Sequence, residues 1–260
     1  MSDLFGRRVI GKSGVVTTAV TMQFVAIFGS LLPLLVLGGE PRADDLIRGG
    51  LSGLGLGLGL ACYYGGITRS SSTVVSPLVA TMSAVVPFAY TVITGGSAPA
   101  LAIVGAAVAI GGLILITIGG RAATAVWTGL AWGLVSGSGY GFGLTVVIDT
   151  ASESGSWPAV TQRIGAFALM FVIATATGTP KTPPTGARLS GLVAGVFAAL
   201  STIFFLAGVQ ADAGPAVITA AMFPAGSVAV GKLFYSDPVS RPQVIGIAAV
   251  RVGTVGVVMA

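Results

Sequence analysis

Apolar segments of about twenty residues follow one another along this chain almost without interruption, set apart by short polar breaks. A helix needs roughly 20 predominantly apolar residues to cross a bilayer. On that rule the pattern predicts nine spanning helices, at 14–38, 46–67, 72–94, 98–119, 124–148, 156–178, 187–209, 213–235 and 241–260. The breaks are visible as Glu40-Pro41-Arg42-Ala43-Asp44-Asp45, Thr68 to Ser72, Gly95 to Pro99, Arg121, Asp149 to Ser156, Thr179 to Pro184, Gln210 to Asp212 and Ser236 to Arg241. None is long enough to hold a soluble domain. The first apolar run follows a short basic tail and is too long for a signal-peptide core, so it is expected to be retained; Arg7-Arg8 is only a weak twin-arginine signal.

The series says nearly the same thing twice, about 140 residues apart. Ala19-Val20-Thr21-Met22-Gln23 returns as Ala159-Val160-Thr161-Gln162-Arg163, Arg48 and Gly55 as Arg188 and Gly195, and Tyr63-Tyr64 as Phe204-Phe205. Further on, Pro87 is matched by Pro224, and the pair Gly105/Gly112 by Gly246/Gly253. A duplicated run of hydrophobic helices is how secondary transporters are built. The two copies would occupy 1–119 and 124–260, with four helices in the first and five in the second. The counterpart of the helix at 124–148 would begin before Met1, so either the true start lies upstream, the favoured expectation, or the chain is a shortened form.

Composition narrows the chemistry. Hydrophobic residues make up 54% of the 260 and charged residues only 8%, where a soluble chain would carry about a quarter. There is no His and one Cys, so metal clusters, Ser-His or Cys-His nucleophile pairs and disulfides have no residues to build on. Cys62 lies within an apolar run, as a small packing residue would. The net charge of +5 is spread singly between apolar segments, which argues for loop charges that set orientation and against nucleic acid.

Ala61-Cys62-Tyr63-Tyr64-Gly65-Gly66-Ile67, followed by Val74 to Thr81 and Ala84-Val85-Val86-Pro87, resembles the fourth-helix region of EamA-like proteins in the drug/metabolite transporter superfamily. Met222-Phe223-Pro224 through Tyr235-Ser236-Asp237 and Gln243 to Ile247 is similar to the same signature. The resemblance implies ten helices in two five-helix repeats, inverted because five is odd, around a central substrate cavity. It also implies a Gly-Glu after the proline-bearing helix, where this chain has Gly95-Gly96-Ser97 and Ser236-Asp237.

Within 124–148, Gly129, Gly133, Gly137 and Gly141 recur every four residues along one edge, where glycine lets another backbone come close. Thr128, Trp132, Ser136 and Tyr140 form a second line beside them that would line a cavity, or else pack and anchor against lipid. Gly49, Gly53 and Gly57 form a similar seam; neither glycine series has the strand-to-helix context or Lys of a phosphate loop. Two arginines fall inside apolar segments, Arg163 opposite Gln23 in the repeat and Arg251 opposite Ile110. Charge at that depth costs on the order of 3 kcal/mol and faces protein or water, so both are candidates for substrate contact, with snorkelling the alternative. Asp149, Glu153, Asp212 and Asp237 all fall at helix ends, which leaves proton coupling unreadable. Pro87 and Pro224 lie inside apolar helices and would bend them, as hinges or to shape a basket.

The side with the N-terminal tail collects Arg7, Arg8, Lys12, Arg69, Arg121, Lys181, Arg188, Lys232 and Arg241, against Arg42 and Arg48 opposite, which puts the tail in the cytoplasm. A tenth helix upstream would then place the N-terminus outside, whereas the resemblance implies both termini inside. The expectation is an all-α, multi-pass protein of a bacterial inner or plasma membrane. It would move a small organic solute outward by alternating access between the repeats, with Gln23 and Tyr64 added to the cavity candidates. The solute would be an amino acid, another metabolite or a toxic compound. A membrane-embedded enzyme and an inactive fragment are the rivals. No cofactor is expected; the partners would be the solute and the lipid bilayer, with a homodimer left open.

Overall fold

The computed structural model describes residues 2–94, 99–118, 123–147, 150–211, 233–234, 236 and 240–259. Every regular element among them is helical: α1 (Ser2–Ser13), α2 (Val15–Leu37), α3 (Ala43–Arg69), α4 (Ser72–Ile93), α5 (Ala100–Ile118), α6 (Ala123–Val147), α7 (Trp157–Ala176), α8 (Thr185–Ala211) and α9 (Arg241–Val258), with a short 3-10 turn at Ser152–Ser154. The expected helix at 213–235, with Pro224, lies almost wholly outside the described residues, as do Arg121, Asp149, Asp212 and Asp237. Among the described residues, four helical stretches are long and apolar enough to cross a membrane: Val15–Leu35, Ala43–Arg69, Val126–Val147 and Trp157–Ala176. Val74–Pro87, Ala100–Gly112 and Thr185–Ser201 are shorter apolar helical stretches.

The basic tail before the first span is itself a helix, which the apolar pattern did not suggest. In α1, Leu4, Val9 and Ile10 are buried while Arg8 and Lys12 face out, and Gly14 at φ 84 separates it from α2. The polar breaks carry the stop signals that end the helices. Gly178 at φ 64 closes α7 in a Schellman arrangement, with Thr179 N–H donating to Ala174 O at 2.8 Å and Gly178 N–H to Thr175 O at 3.3 Å. Ser240 and Gln243 form a capping box that starts α9.

The chain divides into two compact units. Unit 1 comprises Met1–Tyr64 and Phe142–Ala207, unit 2 Gly65–Gly141 and Gly208–Ala260, so each draws on both sequence halves.

In unit 1, α2 and α7 run antiparallel around a core of Ala19, Val20, Met170 and Ala174, with Leu60 and Ala61 of α3 against it. Thr17 Oγ1 donates to Pro180 O at 2.5 Å near one end of the pair, and Trp157 Nε1 to Gly39 O at 3.1 Å near the other. Two glycine seams flank the pair. On α3, a Cβ at Gly49 would run into Thr161, one at Gly53 into Gln162 O, and one at Gly57 would stand 3.1 Å from Ala166 O. On α8, a Cβ at Gly191 would stand 3.1 Å from Thr21 Cγ2 and one at Gly195 3.1 Å from Met22 O, while Ala199 fills the space beside Gly29 of α2.

In unit 2, α4 lies along the glycine edge of α6, and α5 runs antiparallel to α9. A Cβ at Gly112 would stand 2.6 Å from Gly246 O and 2.7 Å from Val250 N. One at Gly253 would run into Gly105 O and Ala109 N, the same contact with the partners exchanged. Val74, Val126, Ile247 and Val250 form the buried apolar cluster of this unit.

Candidate functional site

The polar residues of unit 1 gather where α2, α3 and α7 meet. Arg163 Nη1 donates to Gln23 Oε1 at 3.1 Å, and Gln23 is 2% exposed. One residue earlier on α7, Gln162 Nε2 donates to Ser52 Oγ at 2.6 Å, and that hydroxyl donates to Gly143 O at 2.7 Å. The glycine seam brings α3 close enough for Ser52, 0% exposed, to reach α7. The result is two short hydrogen-bonded chains inside apolar helices, one of them charged. Buried polar groups cost free energy unless bonded in this way.

Tyr64 lies deeper than a cavity lining would require. It is 0% exposed, its hydroxyl donates to Met22 Sδ at 3.6 Å, its ring packs 5.5 Å from that of Tyr63, and Gly6 of α1 rests directly on it.

In unit 2, the glycine edge of α6 meets one residue per turn of α4. A Cβ at Gly129 would stand 2.5 Å from Ser70 Oγ, just before α4, and 2.9 Å from Val74. At Gly133 it would be 2.9 Å from Leu78, at Gly137 2.5 Å from Met82, and at Gly141 2.6 Å from Val86. On the neighbouring line, Trp132 packs against Gly65 and Gly66 of α3, and the Arg69 guanidinium lies 4.9 Å from its ring centroid. Arg69 Nη1 also donates to Gly65 O at 3.1 Å, so the cation holds the end of α3 against α6. Ser136 is fully buried and Tyr140 partly so. Arg251, partly buried on α9, has no hydrogen bond or ion pair among the described residues. Pro87 lies inside α4, and Pro77 is there too.

Sequence reasoning missed Ser52, Gln162 and Asp45. Asp45 belongs to a polar break, yet it is 5% exposed and accepts from Ser154 Oγ at 2.6 Å and Ala151 N at 3.2 Å. Around it Glu40 N–H donates to Glu153 O at 2.8 Å, so the α2–α3 loop is clasped to the segment before α7. Glu153 itself is exposed and pairs with Arg42 at 3.8 Å. Among the described residues no group of His, Cys, Asp and Glu could hold a metal ion.

This helical architecture, with apolar helices seamed by glycine, agrees with the comparison to known families. Residues 1–118 match the model of the EamA-like transporter family. EamA-like proteins fall within the drug/metabolite transporter superfamily, so the resemblance read from Tyr63-Tyr64 and the Pro87 segment holds over residues 1–118. The EamA match over residues 1–118 and the apolar helices indicate a multi-pass membrane protein. No curated protein matches the sequence.

Proposed function

We propose that the chain is a secondary transporter that moves a small organic solute outward across the bilayer by alternating access between two inverted repeats. The observation that carries the reading is the EamA match over residues 1–118.

The inverted-repeat part draws support from contacts that occur twice. Gly112 against Gly246 and Val250 corresponds to Gly253 against Gly105 and Ala109. At corresponding positions of α7 and α2, Trp157 Nε1 bonds Gly39 O and Thr17 Oγ1 bonds Pro180 O, one at each end of the pair. An antiparallel helix pair that makes one contact twice is related by a two-fold axis perpendicular to its length. For helices that span a membrane, that axis lies in the membrane plane, as in inverted-topology transporters. Gln23 and Arg163 hold corresponding positions and bond each other, which supports a position beside that local axis. Substrate sites in such transporters form at the repeat interface near mid-membrane. On this reading Arg163, within unit 1, contacts the solute with Gln23 orienting it; Arg251, in unit 2, is a separate candidate for solute contact. The solute is an amino acid, another metabolite or a drug-like compound.

The test is efflux of a solute panel from cells and proteoliposomes containing the full chain. Wild type should export at least one solute above the empty-membrane background, and Arg163→Leu and Arg251→Leu should abolish that export at unchanged protein level. Export unaffected by both substitutions would remove the site assignment. Absence of any flux in proteoliposomes, with turnover of a lipid substrate by the purified protein, would remove the transporter reading.

A further inference from the structure

The two ends of unit 1 carry charge of different character. At one end, α1, the loop after α7 and the first turn of α8 bring together Arg8, Lys12, Lys181 and Arg188. Thr17 Oγ1 holds Pro180 O at 2.5 Å, and Lys12 Nζ donates to Gly186 O at 3.1 Å, which ties the three segments together. Arg188 Nε donates to Pro183 O at 3.3 Å, the Lys181 ammonium lies 5.3 Å from the Phe171 ring, and the Arg8 guanidinium lies 5.6 Å from Phe5. Arg8 and Lys12 are one turn apart on α1, both exposed. Among the described residues, none of these four cations meets a carboxylate at ion-pair distance. At the opposite end, Glu40, Asp44, Asp45 and Glu153 accompany Arg42 and Arg48.

Carbonyl oxygens and ring faces use only part of what these groups offer, since an ammonium has three donors and a guanidinium five. The chemistry that complements several such cations is a phosphate. Apolar surface beside them decides between a free phosphate and a lipid. Leu189, next to Arg188, is 74% exposed, and Val172, next to Phe171, is 62% exposed. An acyl chain would cover these side chains while its headgroup meets the cations above. Lys181, with its ammonium over Phe171, has the apolar-stem, charged-tip placement of a residue at a membrane interface.

We propose that Lys12, Lys181 and Arg188, with Arg8 beside them, form a site for the phosphodiester headgroup of an anionic phospholipid at this end of unit 1. The site is independent of which solute is transported.

The test is native mass spectrometry of the full chain, delipidated and then titrated with phosphatidylglycerol or phosphatidylcholine. Wild type should retain phosphatidylglycerol preferentially. Loss of each cation should weaken that retention about fivefold, so the triple variant Lys12→Gln/Lys181→Gln/Arg188→Gln should weaken it roughly a hundredfold. Arg42→Gln, at the other end, should leave it unchanged. If the triple variant fails to fold, Lys181→Gln alone, whose ammonium makes no hydrogen bond among the described residues, still reads the fivefold loss. Equal retention of the two lipids by wild type, or unchanged retention in Lys181→Gln and the triple variant, overturns the site. Displacement of the lipid by millimolar inorganic phosphate overturns the lipid assignment in favour of a free anion.

Discussion

Arg163 shows how far a single residue could be read. Its position inside an apolar segment and its pairing with Gln23 by the 140-residue echo were both visible in the chain; that the two side chains touch at 3.1 Å was not. Only folding brings the echo's two members face to face. Ser52 and Asp45 gave no signal at all, because their partners lie 110 and 109 residues away and neither belongs to a recognisable spacing. Ser52 accepts from Gln162 and donates to Gly143 O, so Ser52→Ala removes both bonds and takes this partner from the partly buried Gln162 amide. That substitution should destabilise the protein by about 1–3 kcal/mol, read as a lowered thermal midpoint in detergent. Ser83→Ala, whose hydroxyl bonds only the preceding turn at Ala80 O, should change the midpoint little.

At the scale of elements, segment periodicity was enough to locate α2 to α9 to within a few residues, since an apolar run bounded by glycine, proline and charge has few ways to fold in a membrane. It overlooked α1, which is short and basic and gains its stability by burying Leu4, Val9 and Ile10. The glycine edge of α6 suggested a close neighbour, but sequence could not say that the neighbour is α4. Close packing makes a directional prediction. Gly137→Val would force a side chain into Met82 and Val79 and should cost about 1–3 kcal/mol or prevent folding, as measured by monodisperse yield. Among the described residues, Gly111, on α5, has nothing within 4 Å of an added Cβ. Gly111→Ala should therefore stabilise the helix by about 0.5–1 kcal/mol in the same assay.

For the whole molecule, the pattern of apolar segments was enough for the class of protein: helical and membrane-embedded. Which helices group together was hidden, because both units are assembled from both halves and contacts of that range leave no local trace. Unit 1 allows a topological prediction. Lys12 and Lys181 lie at one end of the α2–α7 pair and Glu40 at the other, beside Gly39 and Trp157. In a Cys62→Ala background, cysteines introduced at Lys12 and Lys181 should react with a membrane-impermeant maleimide from one side of the membrane, and a cysteine at Glu40 from the other. Labelling of all three from the same side would mean that this helix pair does not cross the bilayer.

The seam between α5 and α9 has a consequence for genetics. Its two contacts are alike in backbone but not in side chain: opposite Gly112 stands Val250, whose Cγ2 would lie 2.9 Å from an added Cβ, whereas opposite Gly253 only backbone of Ala109 and Gly105 is met. Selection for revertants of Gly112→Ala should restore glycine at position 112, because a smaller residue at position 250 leaves Gly246 O at 2.6 Å and Val250 N at 2.7 Å from the added Cβ. Gly253→Ala meets backbone in the same way, and its revertants should restore glycine at position 253 itself.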